Sequence, residues 1–104
     1  MKESDWKKFK KIKEAALDKC CQEALIEYQK SISDDSASHH QRFLNVYELV
    51  HDTNKELAQI FDDQSRSKAV IQMLLMRRRG LVPDESIAIF SEEFQQSSDP
   101  DFFL

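Results

Sequence analysis

One glycine and two prolines among 104 residues leave this chain little material for tight turns. Average usage is about 7% glycine and about 5% proline. Tight turns lean on both, glycine for a positive φ and proline for a preset one. The scarcity predicts long regular elements. With no glycine cluster, the phosphate-cradling loops of nucleotide-binding proteins are excluded as well. Val, Thr and Tyr are scarce while Lys, Glu, Gln, Ala, Leu and Ile are plentiful, a balance that favours helix over strand. No apolar run approaches the ~18 residues of a membrane span, so no membrane role is expected. The basic start is followed only by Ala15-Ala16-Leu17, far short of a secretory signal core. Cys20 and Cys21 are the only cysteines. Adjacent residues diverge on a helix, so they do not pair, and free thiols point to a reducing, cytoplasmic setting.

What is present reads as one helical domain. The length suits a single unit, and the 33% charged, 40% hydrophobic composition is globular. The first helix is expected from Ser4 or Asp5, either of which could cap it, to about Ile32. Trp6, Phe9, Ala16, Leu17, Cys20, Ala24 and Tyr28 share one broad face of that helix. The polar run from Ser31 to Ser38 ends it, and Asp35, Ser36 or Ser38 caps the next. A second helix from about His39 to Asp62 carries Phe43, Val46, Tyr47, Val50, Leu57 and Phe61 at helical spacing, with Asn54 inside or at the edge of the stripe.

The third segment, Ser67 to Arg79, is the most apolar, with only Gln72 polar between Ala69 and Met76. It is expected to be central or covered by a partner. Arg77, Arg78 and Arg79 before Gly80 make a favourable helix end. Whether the second and third helices are separate is open, because Asp62-Asp63-Gln64-Ser65 contains neither Gly nor Pro. A fourth, short helix begins at Pro83 and carries Ile87, Phe90 and Phe94 to about Gln96. The predicted fold is all-α: an antiparallel helical bundle of three main helices plus a short fourth. It spans residues 1–96, with an acidic, aromatic tail at 97–104.

The net charge of −4 is unevenly spread: six lysines against three acids in residues 1–14, six acids and no Lys or Arg in 80–104. An acidic mean field does not steer a protein to nucleic acid, so such a role would need a local patch. Arg77, Arg78 and Arg79 are the candidate phosphate contacts. The five lysines between Lys7 and Lys13 scatter around the first helix, unlike the segregated faces of a membrane-surface helix. His40 and His51 share a face but stand roughly 16 Å apart along the helix. They cannot share an ion unless another element supplies ligands, so no metal or cofactor is expected. The acidic pairs Asp34-Asp35, Asp62-Asp63 and Glu92-Glu93 diverge by 100° and converge on no substrate. No catalytic residue and no small-molecule substrate are inferred.

The residues that could meet a partner lie elsewhere. Met73 and Met76 on the apolar third segment are candidates for a homodimer interface. Phe102, Phe103 and Leu104 are candidates in the tail. Asp99-Pro100-Asp101-Phe102-Phe103-Leu104 resembles the acidic, apolar-ended C-terminal peptides of bacterial single-stranded-DNA-binding proteins, a likeness confined to these six residues. The resemblance implies docking into a basic, apolar-floored pocket on a partner. The alternative is that Phe102 and Phe103 fold back over the core. The expected function is a non-enzymatic adaptor or regulator working through protein–protein contacts. The alternative is a small nucleic-acid-associated regulator using the three arginines, and third comes a helical enzyme or metal protein with no identifiable site.

Overall fold

A computed structural model describes residues 1–103, with only the backbone of Phe103. The chain is an all-α bundle of three long helices and two short ones: α1 (Glu3–Ile32), α2 (His39–Phe61), α3 (Arg66–Arg78), α4 (Asp84–Ile87) and α5 (Glu92–Ser97). A 3₁₀ turn at Pro100–Phe103 lies against α3. Helices α1 and α2 form a long antiparallel hairpin. The molecule measures 52 × 26 × 24 Å, and its long dimension follows α1, whose 30 residues rise about 45 Å.

Local chemistry explains the element ends. Asp34 Oδ1 accepts from the Ser36 N–H and O–H groups, folding the connection between α1 and α2. Ser38 then caps α2 by accepting from the Gln41 N–H at 3.1 Å. Helices α2 and α3 are separate, although their linker has no glycine. Asp63 makes the turn at φ 67°, a left-handed conformation that Asp tolerates better than most residues. Gln72 Nε2 holds the turn through the Asp62 and Asp63 carbonyls at 2.6 and 3.2 Å. The buried Lys13 adds its Nζ to the Asp63 carbonyl at 2.6 Å. At the far end of α3, the Gly80 N–H donates to the Arg77 carbonyl and the Leu81 N–H to the Met76 carbonyl. With Gly80 at φ 75°, this is a Schellman cap, and its hydrophobic partners Leu81 and Met76 are both buried.

Two expectations need correction. Neither Ser4 nor Asp5 caps α1; Lys2 stands at that position without a side-chain bond. Asp5 lies within the first turn of the helix, where it is buried and accepts from the Ser91 N–H and O–H groups. The single fourth helix is in fact α4 and α5, broken where Ser91 turns extended (φ −60°, ψ 153°) to cap α5 through the Phe94 N–H. Asp5 and Ser91 are 86 residues apart, so a long-range pairing fixes the position of the break.

The core is confined to one end. Phe9, Ala16 and Cys20 of α1, Ile60 and Phe61 of α2, Ala69, Met73 and Met76 of α3, and Leu81, Val82, Phe90 and Phe94 beyond it form one buried cluster. Phe94 packs its ring against Phe9 and Phe90 at centroid distances of 6.2 and 4.9 Å. Helix α3 runs alongside α1: Arg66 at its start pairs with Glu3, and Arg79 just past its end reaches Glu23. With 13 residues against 30, α3 covers only the lower part of the hairpin. From Cys21 to Gln59 no residue is buried. The upper hairpin is an arm of two helices with no third layer.

Candidate interaction surface

The two sides of the hairpin differ in chemistry. On one side Cys20, Glu23, Ala24 and Glu27 of α1 face Leu49, Asp52, Thr53 and Glu56 of α2 across a groove of about 510 Å³. Arg79 closes its lower end, donating from Nε to Glu56 Oε1 at 2.7 Å and pairing with Glu23 Oε2 at 3.2 Å. The Cys20 thiol approaches Glu56 Oε1 at 3.8 Å. Burial, and then the Glu56 charge, push that thiol above its ordinary pKa, so it stays protonated and is a poor nucleophile. Higher up, the Tyr28 hydroxyl donates to Thr53 Oγ1 at 2.6 Å, and Thr53 donates in turn to the Leu49 carbonyl at 2.8 Å. The Tyr28–Thr53 bond ties the two helices of the arm together. Among the described residues no group of three His, Cys, Asp or Glu side chains is placed to hold a metal ion. The three histidines are exposed, and the His51 ring stacks on Tyr47 at 6.5 Å.

The opposite side is apolar and solvent-exposed. Phe43, Tyr47, Val50 and Asn54 follow one another at i, i+4, i+7 and i+11, a single row along α2. Phe43 is 68% exposed, Tyr47 65% and Val50 46%. Beside them on α1 stand Leu25 and Ile32, seven residues apart and 59% and 55% exposed. Ile32, Phe43 and Val46 line one shallow recess, with His39 and Arg42 at its edge, which places the rows of the two helices side by side. The charged residues of α2 are Arg42, Glu48, Asp52, Lys55 and Glu56, and all fall on the other half of its wheel. Arg42 turns back to the Ile32 carbonyl at 2.9 Å. On α1 beyond Lys19, the row that includes Cys21, Leu25, Tyr28 and Ile32 is likewise free of charge.

Few of the residues that sequence singled out lie on this surface. Met73 and Met76 are fully buried in the chain's own core, so in this fold they offer nothing to a partner. Helix α3 is covered by α1, α2 and the 3₁₀ turn, and Ile71 is its exposed apolar residue. Arg77 donates to the Gln95 carbonyl at 2.8 Å and to the buried Ser98 hydroxyl at 3.1 Å, fastening α5 to α3. Its partners are therefore neutral groups of the chain itself. Arg79 is engaged by Glu23 and Glu56. Of the three arginines only Arg78 has no hydrogen bond or ion pair among the described residues. The 3₁₀ turn brings the tail backbone onto α3, with Phe102 76% exposed, while the Phe103 side chain and Leu104 lie outside the described residues.

Phe43, Tyr47 and Val50 are legible in the sequence as part of a stripe at helical spacing, which leaves open whether the stripe is buried. The signal for the surface was nevertheless present. Half the circumference of a 23-residue helix lacks charge, and α3 ends at its cap Arg79 on the other side of the hairpin. No helix of the described residues is long and apolar enough to cross a membrane. No protein-family model, no curated protein and no solved structure matches this chain.

Proposed function

We propose that this chain is a non-enzymatic adaptor or regulatory protein, working in a reducing cytoplasm through protein contacts made by the upper arm of its hairpin. The observation that carries this reading is the exposed, charge-free row of Phe43, Tyr47, Val50, Leu25 and Ile32 on an arm that has no buried residue. Charge depletion with aromatic enrichment is what distinguishes the centre of an interface from ordinary surface. A folded monomer rarely exposes several large apolar side chains in one patch without a role for them. The arginine run is a weaker basis for a nucleic-acid role, because Arg77 and Arg79 are held by groups of the chain itself.

The test is affinity capture with three proteins: wild type, a Phe43→Glu/Tyr47→Glu double variant, and a chain lacking residues 99–104. Both glutamates replace exposed side chains, so circular dichroism should show unchanged helicity. Binding lost in the double variant and kept in the truncated chain supports the reading. Identical captured sets for wild type and double variant, or loss confined to the truncated chain, would sink it.

A further inference from the structure

Building on that reading, we infer that the arm's occupant is a second copy of this chain, its uncharged face laid against the same face to complete a four-helix bundle. Three observations lead there. The first is architectural. A stable helical layer packs against another layer, and from Cys21 to Gln59 the hairpin has none. Two such hairpins, face to face, supply one another's second layer in the common geometry of four-helix bundles.

The second is charge. A two-fold interface brings the same patch to both sides, so any charge at its centre meets its own sign. The row of Phe43, Tyr47, Val50 and Asn54, with Leu25 and Ile32 beside it, contains no Lys, Arg, Asp or Glu. The acidic groove of Glu23, Glu27, Asp52 and Glu56 lies on the opposite side of the hairpin, so like charges stay apart when the apolar faces meet. Asn54 is the one amide within the row, and a lone Asn at such a seam fixes the register of facing helices.

The third is area. Large apolar and aromatic side chains each carry roughly 150–250 Å². At the exposures found, Leu25, Ile32, Phe43, Tyr47 and Val50 together present about 600 Å² per chain. Burying both copies removes about 1,200 Å², which reaches the lower bound of a specific, stable interface before any rim residue is counted.

Sedimentation velocity from 1 to 200 µM provides the test. Wild type should approach twice 12.2 kDa as concentration rises. Phe43→Glu/Tyr47→Glu should keep its helicity and weaken dimerisation by at least roughly thirty-fold, the loss of one anchor-class contact. Leu25→Glu/Ile32→Glu, on the other helix, should do the same and guards against a folding artefact in the first variant. Ile71→Glu, an exposed apolar site on α3, should dimerise like wild type. A wild type monomeric at 200 µM overturns the second copy while the capture experiment still decides whether the face binds another protein. A dimer that survives both double variants, or that Ile71→Glu alone dissolves, places self-association elsewhere and overturns the inference.

Discussion

Ser91→Ala should cost far more than a half-exposed serine usually does, because its hydroxyl has two partners. It caps α5 by accepting from the Phe94 N–H at 3.3 Å, and it donates to the buried Asp5 carboxylate. Losing an N-cap costs about 1 kcal/mol. Losing a hydrogen bond to a charged group costs about 1.5–3 kcal/mol, because the carboxylate keeps its desolvation penalty. Asp5 retains the Ser91 N–H at 2.9 Å, so the total should be about 2–4 kcal/mol. For a chain of this length that lowers Tm by roughly 10–20 °C. The assay is thermal unfolding followed by circular dichroism and by the fluorescence of Trp6, the single tryptophan. A double-mutant cycle with Asp5→Ala isolates the pair. Burial alone would raise the Asp5 pKa; the Ser91 hydrogen bonds, with Lys8 and Lys2, outweigh it and hold the carboxyl below its ordinary value of 3.8. As pH falls, the unfolded chain therefore takes up this proton first. The contribution of Asp5 is fully present above about pH 5, well clear of the unfolded value, and is lost as pH drops through the folded pKa. The gap between wild type and Ser91→Ala should narrow accordingly at pH 2.5. Additive single variants at pH 7, or a gap unchanged at pH 2.5, would refute the reasoning.

Other expectations follow from burial and backbone shape. Met76→Ala, at a site with no solvent exposure, should lose about 2–5 kcal/mol in urea unfolding. Phe43→Ala, at 68% exposure, should stay within about 0.5 kcal/mol in dilute protein where only monomer is present. Gly80→Ala meets no neighbouring atom within 4 Å, so its cost should be purely that of a left-handed residue, about 1–2 kcal/mol by the same melts. Arg77→Met should loosen α5 and raise proteolysis between α5 and the 3₁₀ turn, because the Gln95 carbonyl and Ser98 hydroxyl both lose a donor.

What sequence revealed of the fold was set by short-range chemistry. The end of α1 and the start of α2 follow from the polar linker and the Ser38 cap, and the end of α3 from Gly80. What it missed depends on residues far apart in the chain. Asp5 looked like a cap because its role as the acceptor of Ser91 becomes visible only when 86 residues of chain have folded back. Ile87, Phe90 and Phe94 keep helical spacing, yet Ser91 breaks the helix between them to meet that same carboxylate. Asp63 turns the chain where neither Gly nor Pro marks the place. The stripe on α2 was found correctly, but periodicity reports only that a face is apolar. Whether that face is inside depends on what packs against it, and α3 ends at its cap Arg79 on the other side of the hairpin.

That dependence has a measurable consequence for the arm. Isolated helices shorter than about 12–15 residues are marginal in water, and helices in proteins draw most of their stability from a packed apolar face. Up to Glu23 in α1 and from Glu56 onward in α2 the helices draw on the buried cluster; in the arm between they share half-buried contacts, the Tyr28–Thr53 bond and the Arg42 bond to the Ile32 carbonyl. Opening of the arm should therefore need much less free energy than opening of the base. Association would add to the arm alone, since a ligand stabilises the state it binds, and here the ligand is the chain itself. Amide hydrogen exchange should then divide in two. Protection in residues 25–32 and 39–52 should rise with protein concentration, while that of Met73 and Met76 stays fixed by the fold. Phe43→Glu/Tyr47→Glu should abolish the concentration dependence without lowering protection in the base. An arm as protected as the base at 1 µM, and indifferent to concentration, would mean that the hairpin is stable by itself and has no need of a second layer.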